Sequence, residues 1–306
     1  MQVELGKISD SNEKFDALAK IGGPRNQSFL ATIWSTLSFE EIPEEIVFAY
    51  VWFVFFPHLV SPQQSDRDLS RRLTSDPDLL EFASEFLRSS STGVDHLAVV
   101  RTPLSEEEFA ALVPDNAFAD DSNLSENESW EHSLPNGDVV RVERSDGLQY
   151  SRLRLQAAHH TGSGETAPLD LQHESDGTRR LLQLIPALHT LRHASVVYFI
   201  DEVDRSLHPM LVRNFLELFL NSCRGDCRQL IMTTHESSLL DQELLRRDEI
   251  WFAEKDPSGA TSLYSLLDFK VRNDLEIRKH YLQGRFGAVP FLGGASRLME
   301  DEGQPA

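Results

Sequence analysis

Along the first half of the chain, apolar residues recur at helical spacing; later they gather into short runs that end in polar clusters. Leu69, Leu73, Leu79, Leu80, Phe82 and Phe86 predict two helices with a break at Pro77. GGPRN (22–26) predicts a turn and QSFLATIWSTL (27–37) a helix, so residues 1 to about 40 read as a strand–loop–helix remnant. The greasiest stretch is IVFAYVWFVFF, residues 46–56. It is too short to span a bilayer as a helix, so a buried helix or strand is expected, with an interface as the alternative. Residues 94–100 alternate weakly as a strand. Residues 138–143 and 148–155 alternate as a hairpin about Ser145, Asp146 and Gly147. TGSGETAP (161–168) reads as a flexible connector; it has no Lys, which argues against a phosphate loop.

From Leu169 onward the order becomes helix, strand, helix, strand, as in an α/β domain. Two further strands are expected near Glu249–Lys255 and Ser262–Leu267, the first following the strand before His235 and the second at the edge. The run Ser195-Val196-Val197-Tyr198-Phe199-Ile200 has the form of a buried central strand. It ends in Asp201-Glu202. An unpaired buried charge is costly, so two adjacent acids at such a strand end call for compensation. A hydrated Mg²⁺ carrying nucleotide phosphates would supply it.

Composition narrows the partners. The formal net charge is −20, which argues against broad, sequence-independent nucleic-acid binding and against anionic membranes. The N-terminus lacks the apolar core of a signal peptide. Cys223 and Cys227 read as two reduced thiols, and two thiols in a chain this long fit a reducing cytosol, so a cytoplasmic location is expected. SEEEF and DNAFADDSNLSENES read as a solvated loop or arm.

Three further segments carry candidate chemistry. In ESDGTRR, Ser175, Gly177 and Thr178 open a long helix. Free N–H groups at a helix start attract anions, and Gly permits close approach of a phosphate. Alone this would be an ordinary N-cap; its place about 25 residues before the acidic strand favours a phosphate contact. VDRSLHP follows Glu202 directly; Asp204 is placed to reach a partner subunit, and Pro209 suits the start of the next helix. In QLIMTTHES another strand ends in polar residues, and His235 is placed to touch a γ-phosphate. Ligands bind beyond the carboxyl ends of parallel strands, where Asp201, Glu202 and His235 all fall.

The order ESDGTRR, VVYFIDEVDRSLHP, IMTTHESSLL and YLQGRFGAVPFL resembles the C-terminal half of ABC-like AAA ATPases of the non-transporter group, related to overcoming-lysogenization-defect nucleases and common in bacterial phage defence. The resemblance covers residues 145–292 at high specificity; RNQSFLATIW and the aromatic run match the family's helical arm less specifically. It implies an α/β, P-loop NTPase fold with a parallel-rich sheet, helices on its faces and a helical arm. It divides the chain into a partial N-terminal lobe with arm, 1–144, and an ATPase portion, 145–306. Ser175 and Gly177 match the signature loop, which binds the γ-phosphate of ATP held by the other subunit. Asp201 matches the Walker B acid on Mg²⁺, Glu202 the catalytic carboxylate, Asp204 the D-loop acid and His235 the switch histidine.

The departure is the phosphate cradle: the sequence contains no GxxxxGK[ST] segment, and residue 1 is expected to start after it. Without that cradle the chain alone is expected to bind ATP poorly and hydrolyse little. The favoured expectation is a truncated or split ATPase acting as a homodimer or with a chain that supplies Walker A. The alternatives are a non-enzymatic interaction module and a nuclease or its regulator. No TOPRIM-like acidic domain follows residue 292, so a nuclease within this chain is not expected.

Overall fold

The computed structural model describes residues 13–24, 26–61, 66–114, 117, 128–145, 147–162, 164–222, 228–256, 258–270 and 276–289. Cys223, Cys227 and most of the acidic segment after Pro114 lie outside them. The architecture is mixed α/β and divides into two compact units, residues 1–207 with 218–233 and residues 208–217 with 234–306.

The first unit opens with helices α1 (Glu13–Ile21), α2 (Phe29–Thr36) and α3 (Glu44–Phe55). Ser28 caps α2 by accepting from the Ala31 N–H at 3.2 Å. A small core forms from Phe15, Ile33 and Ile42, with Ile46 and Val47 against it. The aromatic run expected to be buried is α3, and no residue of that helix is buried. Phe48, Trp52, Phe53, Val54 and Phe55 are all exposed. Its apolar residues point to every side, so one neighbouring core covers only one stripe of it.

Strand β1 (Pro57–Val60) follows, then α4 (Asp66–Ser75) and α5 (Pro77–Ser89); the two helices are as predicted, with the break at Asp76 and Pro77 opening α5. Asp76 accepts from the Leu79 N–H at 3.0 Å, and Pro77 occupies the first helical position, where a missing N–H costs nothing. Strand β2 (Val94–Leu104), helix α6 (Glu106–Leu112) and strands β3 (Ser129–Ser133), β4 (Val139–Ser145), β5 (Gly147–His160) and β6 (Thr166–Asp170) come next. They make an antiparallel sheet in the order β2-β5-β4-β3, with β6 beside β5. The expected hairpin is β4–β5, but β5 runs for 14 residues, well past the alternating stretch 148–155, and organises the sheet. The connector at 161–168 is a hairpin: its second half is β6, paired through Ala158 and Pro168. Ser151, Leu153, Leu155 and Ala157 of β5 are buried on one face. Helix α5 packs on β2, and α4 packs on β3, β4 and β5.

The chain then forms α7 (Asp176–Leu191), β7 (Val197–Ile200), α8 (Pro209–Ser222) and β8 (Gln229–Met232). Helix α7 packs on α4 and α5, and ten of its residues are buried. Burial of each Leu or Ile there stabilises by about 1.5–3 kcal/mol. β1, β7 and β8 form a parallel sheet with β7 in the centre, in register Val60–Ile200–Met232. The row Leu59–Phe199–Ile231 lies on the opposite face, and Leu59 and Ile231 are exposed.

In the second unit, β9 (Trp251–Lys255) and β10 (Thr261–Ser265) form an antiparallel hairpin of their own. Both were expected to extend the sheet of β8. Asp256 instead closes a tight turn, accepting from the N–H groups of Ser258 and Ala260, so the second strand folds back on the first. Phe252 is buried among Tyr264, Phe269, Tyr281 and Phe286, the last two near α9 (Ile277–Leu282). The segment YLQGRFGAVPFL thus supplies core, as far as residue 289. Gly287 has φ +71°, and a Cβ there would lie 2.5 Å from the Tyr264 hydroxyl.

Candidate functional site

The acid pair sits where the central strand runs out. Ile200 is 1 % exposed, whereas Asp201 beside it is exposed and Glu202 half-buried. The ladder continues past the strand: the Asp201 N–H donates to the Val60 carbonyl at 3.0 Å. Thr233, just beyond β8, ties the pair together. Its hydroxyl donates to Asp201 Oδ1 at 2.5 Å and accepts from the Glu202 N–H at 2.8 Å. Its own N–H donates to the Ile200 carbonyl at 3.0 Å, and its carbonyl accepts from the Val203 N–H at 3.1 Å. Asp201 Oδ2 keeps no protein partner among the described residues, which leaves one carboxylate oxygen for a cation.

Glu202 has φ +46°, a left-handed conformation that a residue of its size adopts at a cost. Val203 is fully buried and anchors the turn, which closes through the Arg205 N–H donating to Glu202 O at 3.1 Å and the Leu207 N–H to Asp204 O at 3.0 Å. Ser206, with φ +60°, ends it. The Glu202 carboxylate is close to half exposed, and Arg205 Nη1 lies 3.7 Å from its Oε2.

Ser175 caps α7 as the sequence predicts. Its Oγ accepts from the Thr178 N–H at 3.1 Å and lies 2.9 Å from the Thr178 hydroxyl. The N–H groups of Asp176 and Gly177 have no partner among the described residues, so the helix start presents unpaired donors. Glu174, nearly buried, meets His159 Nε2 of β5 at 2.5 Å and holds the approach to the cap against the antiparallel sheet. Gly177 abuts the turn after the acids: a Cβ there would lie 2.9 Å from the Ser206 carbonyl oxygen. Ser175, Gly177 and Thr178 therefore adjoin the turn that holds Asp201, Glu202 and Asp204. His235 is exposed in the segment after β8 and belongs to the second unit.

Two residues at this site had no role assigned from sequence. Thr233 was visible only as part of a polar strand end. Arg180 is 4 % exposed, and its Nη2 donates to the carbonyls of Asp201 at 2.7 Å and Glu202 at 2.8 Å. Burial pushes its guanidinium below the ordinary arginine value, and Arg205 adds to this, while Asp201, Glu202 and Asp204 oppose it. A signal was present: Arg180 heads the stripe Leu184, Ala187, Leu191, all fully buried on α7.

Among the described residues no group of three or more His, Cys, Asp and Glu side chains assembles as a metal cage. One carboxylate oxygen left without a partner among the described residues suits an ion carried in with phosphates, since Mg²⁺ is usually held by one or two carboxylates plus substrate oxygens.

A family model described as "AAA domain, putative AbiEii toxin, Type IV TA system" matches residues 26–241, more than half of the chain. The chain belongs to this AAA family. It is thus an AAA/ABC-like ATPase-type chain related to phage-defence proteins, and its mixed α/β architecture fits the P-loop NTPase class. ATP with Mg²⁺ is the general ligand of such a family. No curated protein matches the chain. Among the described residues of this AAA-family chain, no helix is long and apolar enough to cross a membrane.

Proposed function

We propose that this AAA-family chain contributes one half of a Mg²⁺·ATP-hydrolysing site in a two-subunit sandwich, in the cytoplasm and in a bacterial defence or DNA-related regulatory setting. Asp201 holds Mg²⁺ through its free oxygen, and Glu202 takes a proton from the attacking water. Ser175, Gly177 and Thr178 receive the γ-phosphate of a nucleotide bound mainly by the facing subunit. Asp204 reaches across the same seam, and His235 touches the γ-phosphate. The phosphate cradle, a GxxxxGK[ST] loop, comes from sequence outside these residues, in a homodimer or in a separate chain. A nuclease or other effector reads the ATP state of the assembly.

The observation that carries this reading is the joint Asp201–Thr233–Glu202. One hydroxyl orients the metal acid and fixes the backbone of the base, and that backbone is held in an unfavourable conformation. An acid pair that merely capped a helix would need neither. The test expresses the protein from its genomic locus with the flanking reading frames and measures ATP turnover for Glu202 and Glu202→Gln. Loss of about 10²–10⁴-fold is expected on removing the general base. Equal rates would reject the assignment and favour the second reading, a non-enzymatic interaction module, for which the exposed apolar residues of α3 offer a surface.

A further inference from the structure

A buried arginine that spends its hydrogen bonds on two backbone carbonyls is an expensive way to build a core. Among the described residues, Arg180 also leaves its Nε without a partner, and its Nη1 reaches only Gln183 at 3.3 Å. What it gains is position. It lies one turn beyond Ser175 and Gly177 on the same helix, and its far end grips the carbonyls of the two acids. Gly177 touches the same turn at Ser206, so the start of α7 and residues 201–206 form one continuous contact.

We infer that Arg180 is a positioning residue that couples phosphate engagement at the Ser175–Gly177 helix start to the placement of Asp201 and Glu202 in the same chain, so that hydrolysis at one ATP site depends on occupancy of the other. This rests on the two-subunit reading above, in which the helix start serves one nucleotide and the acid pair another. A phosphate that draws in the free N–H groups of Asp176 and Gly177 shifts the first turn of α7. Arg180 passes that shift to the Asp201 and Glu202 carbonyls, because Glu202 is held at φ +46° by its surroundings rather than by its own preference. Small displacements at that point matter: an error of about 1 Å in a catalytic group costs up to roughly 10²-fold in rate.

Two measurements test this, with Arg180→Met and Arg180→Lys. In the 306-residue chain without nucleotide, hydrogen exchange of the peptide spanning 201–206 is followed by mass spectrometry. Loss of both carbonyl bonds is expected to speed exchange there about tenfold, with β2–β5 unaffected and Arg180→Lys intermediate. In the protein expressed from its locus, ATP saturation curves are compared. Wild type is expected to show a Hill coefficient above unity; Arg180→Met falls to unity, with kcat lower by about tenfold or more and KM little changed. A residue that only supports the core would lower stability and leave the Hill coefficient alone. Unchanged exchange at 201–206 in either variant overturns the proposal, as does retained cooperativity in a folded Arg180→Met. If Glu202→Gln turns over ATP like wild type, the underlying site reading fails as well. If Glu202→Gln is inactive but Arg180→Met is fully cooperative, only the coupling fails.

Discussion

Replacing Gly177 with alanine sets two effects of known size against each other. Gly177 is the second residue of α7, and an alanine inside a helix is favoured over glycine by about 1 kcal/mol. On helix propensity alone, Gly177→Ala should stabilise. The added Cβ, however, would stand 2.9 Å from the Ser206 carbonyl oxygen, closer than side-chain carbons come to backbone oxygens. Neither side yields cheaply: Ser206 already has φ +60°, and its turn is anchored by the fully buried Val203. Overpacking of this kind costs about 1–3 kcal/mol. The balance is a net loss of about 1 kcal/mol, with the start of α7 pushed off residues 203–207. Urea denaturation measures the stability change, and Gly162→Ala serves as control because nothing lies within 4 Å of a Cβ there. Exchange at 201–206 is expected to rise in Gly177→Ala alone. A gain of about 1 kcal/mol with unchanged exchange would show that the helix start does not touch the acid turn, and the link between the two halves of the site would be lost.

Ser175→Ala removes the cap of α7 and is expected to destabilise by about 1 kcal/mol in urea denaturation, with Ser175→Asp recovering most of it. Gly287→Ala needs both a left-handed backbone and space that the Tyr264 hydroxyl fills, so the tryptophan signal of Trp251 should report loss of the Phe252 core with a cost of roughly 1–3 kcal/mol. Desolvation by neighbouring groups holds the imidazoles of His189 and of His58, which stays exposed at its edge, below their ordinary value, with Arg72 adding to the effect at His58. The unfolded chain therefore binds the extra protons: their stabilisation is complete above pH 6.5 and declines as pH falls toward the folded values, and His58→Gln with His189→Gln should flatten that decline in a pH series of denaturation midpoints.

The elements that chemistry must position were readable because their signals are local. A capping serine before an apolar stripe gave α7, and an apolar run closed by acids gave β7. Pro209 opened α8 for the same kind of reason. What escaped depends on contacts distant in sequence. The alternation of 148–155 marked a strand, yet its extension to His160 and its pairing with β6 follow from partners on both edges. The aromatic run of α3 reads as core by composition, but burial is decided by what surrounds a helix, and here Ile46 and Val47 meet the small core and Tyr50 stacks on Trp34 while Phe48, Trp52, Phe53 and Phe55 stay exposed. Thr233 and Arg180 act through hydrogen bonds to backbone more than 20 residues away, which no spacing rule encodes. Arg180 still left a trace, as a charge at the head of an apolar stripe.

The most direct test of the shared ATP site is the molecular mass of Glu202→Gln protein, expressed from its locus, in sedimentation with Mg²⁺ and ATP. Blocking the base should trap the closed pair, so the mass is expected to double with ATP, to stay single with ADP, and to stay single with ATP when Ser175→Arg is added. A mass that ignores ATP, or that doubles equally with Ser175→Arg, would contradict a nucleotide gripped between the acid pair of one subunit and the helix start of the other.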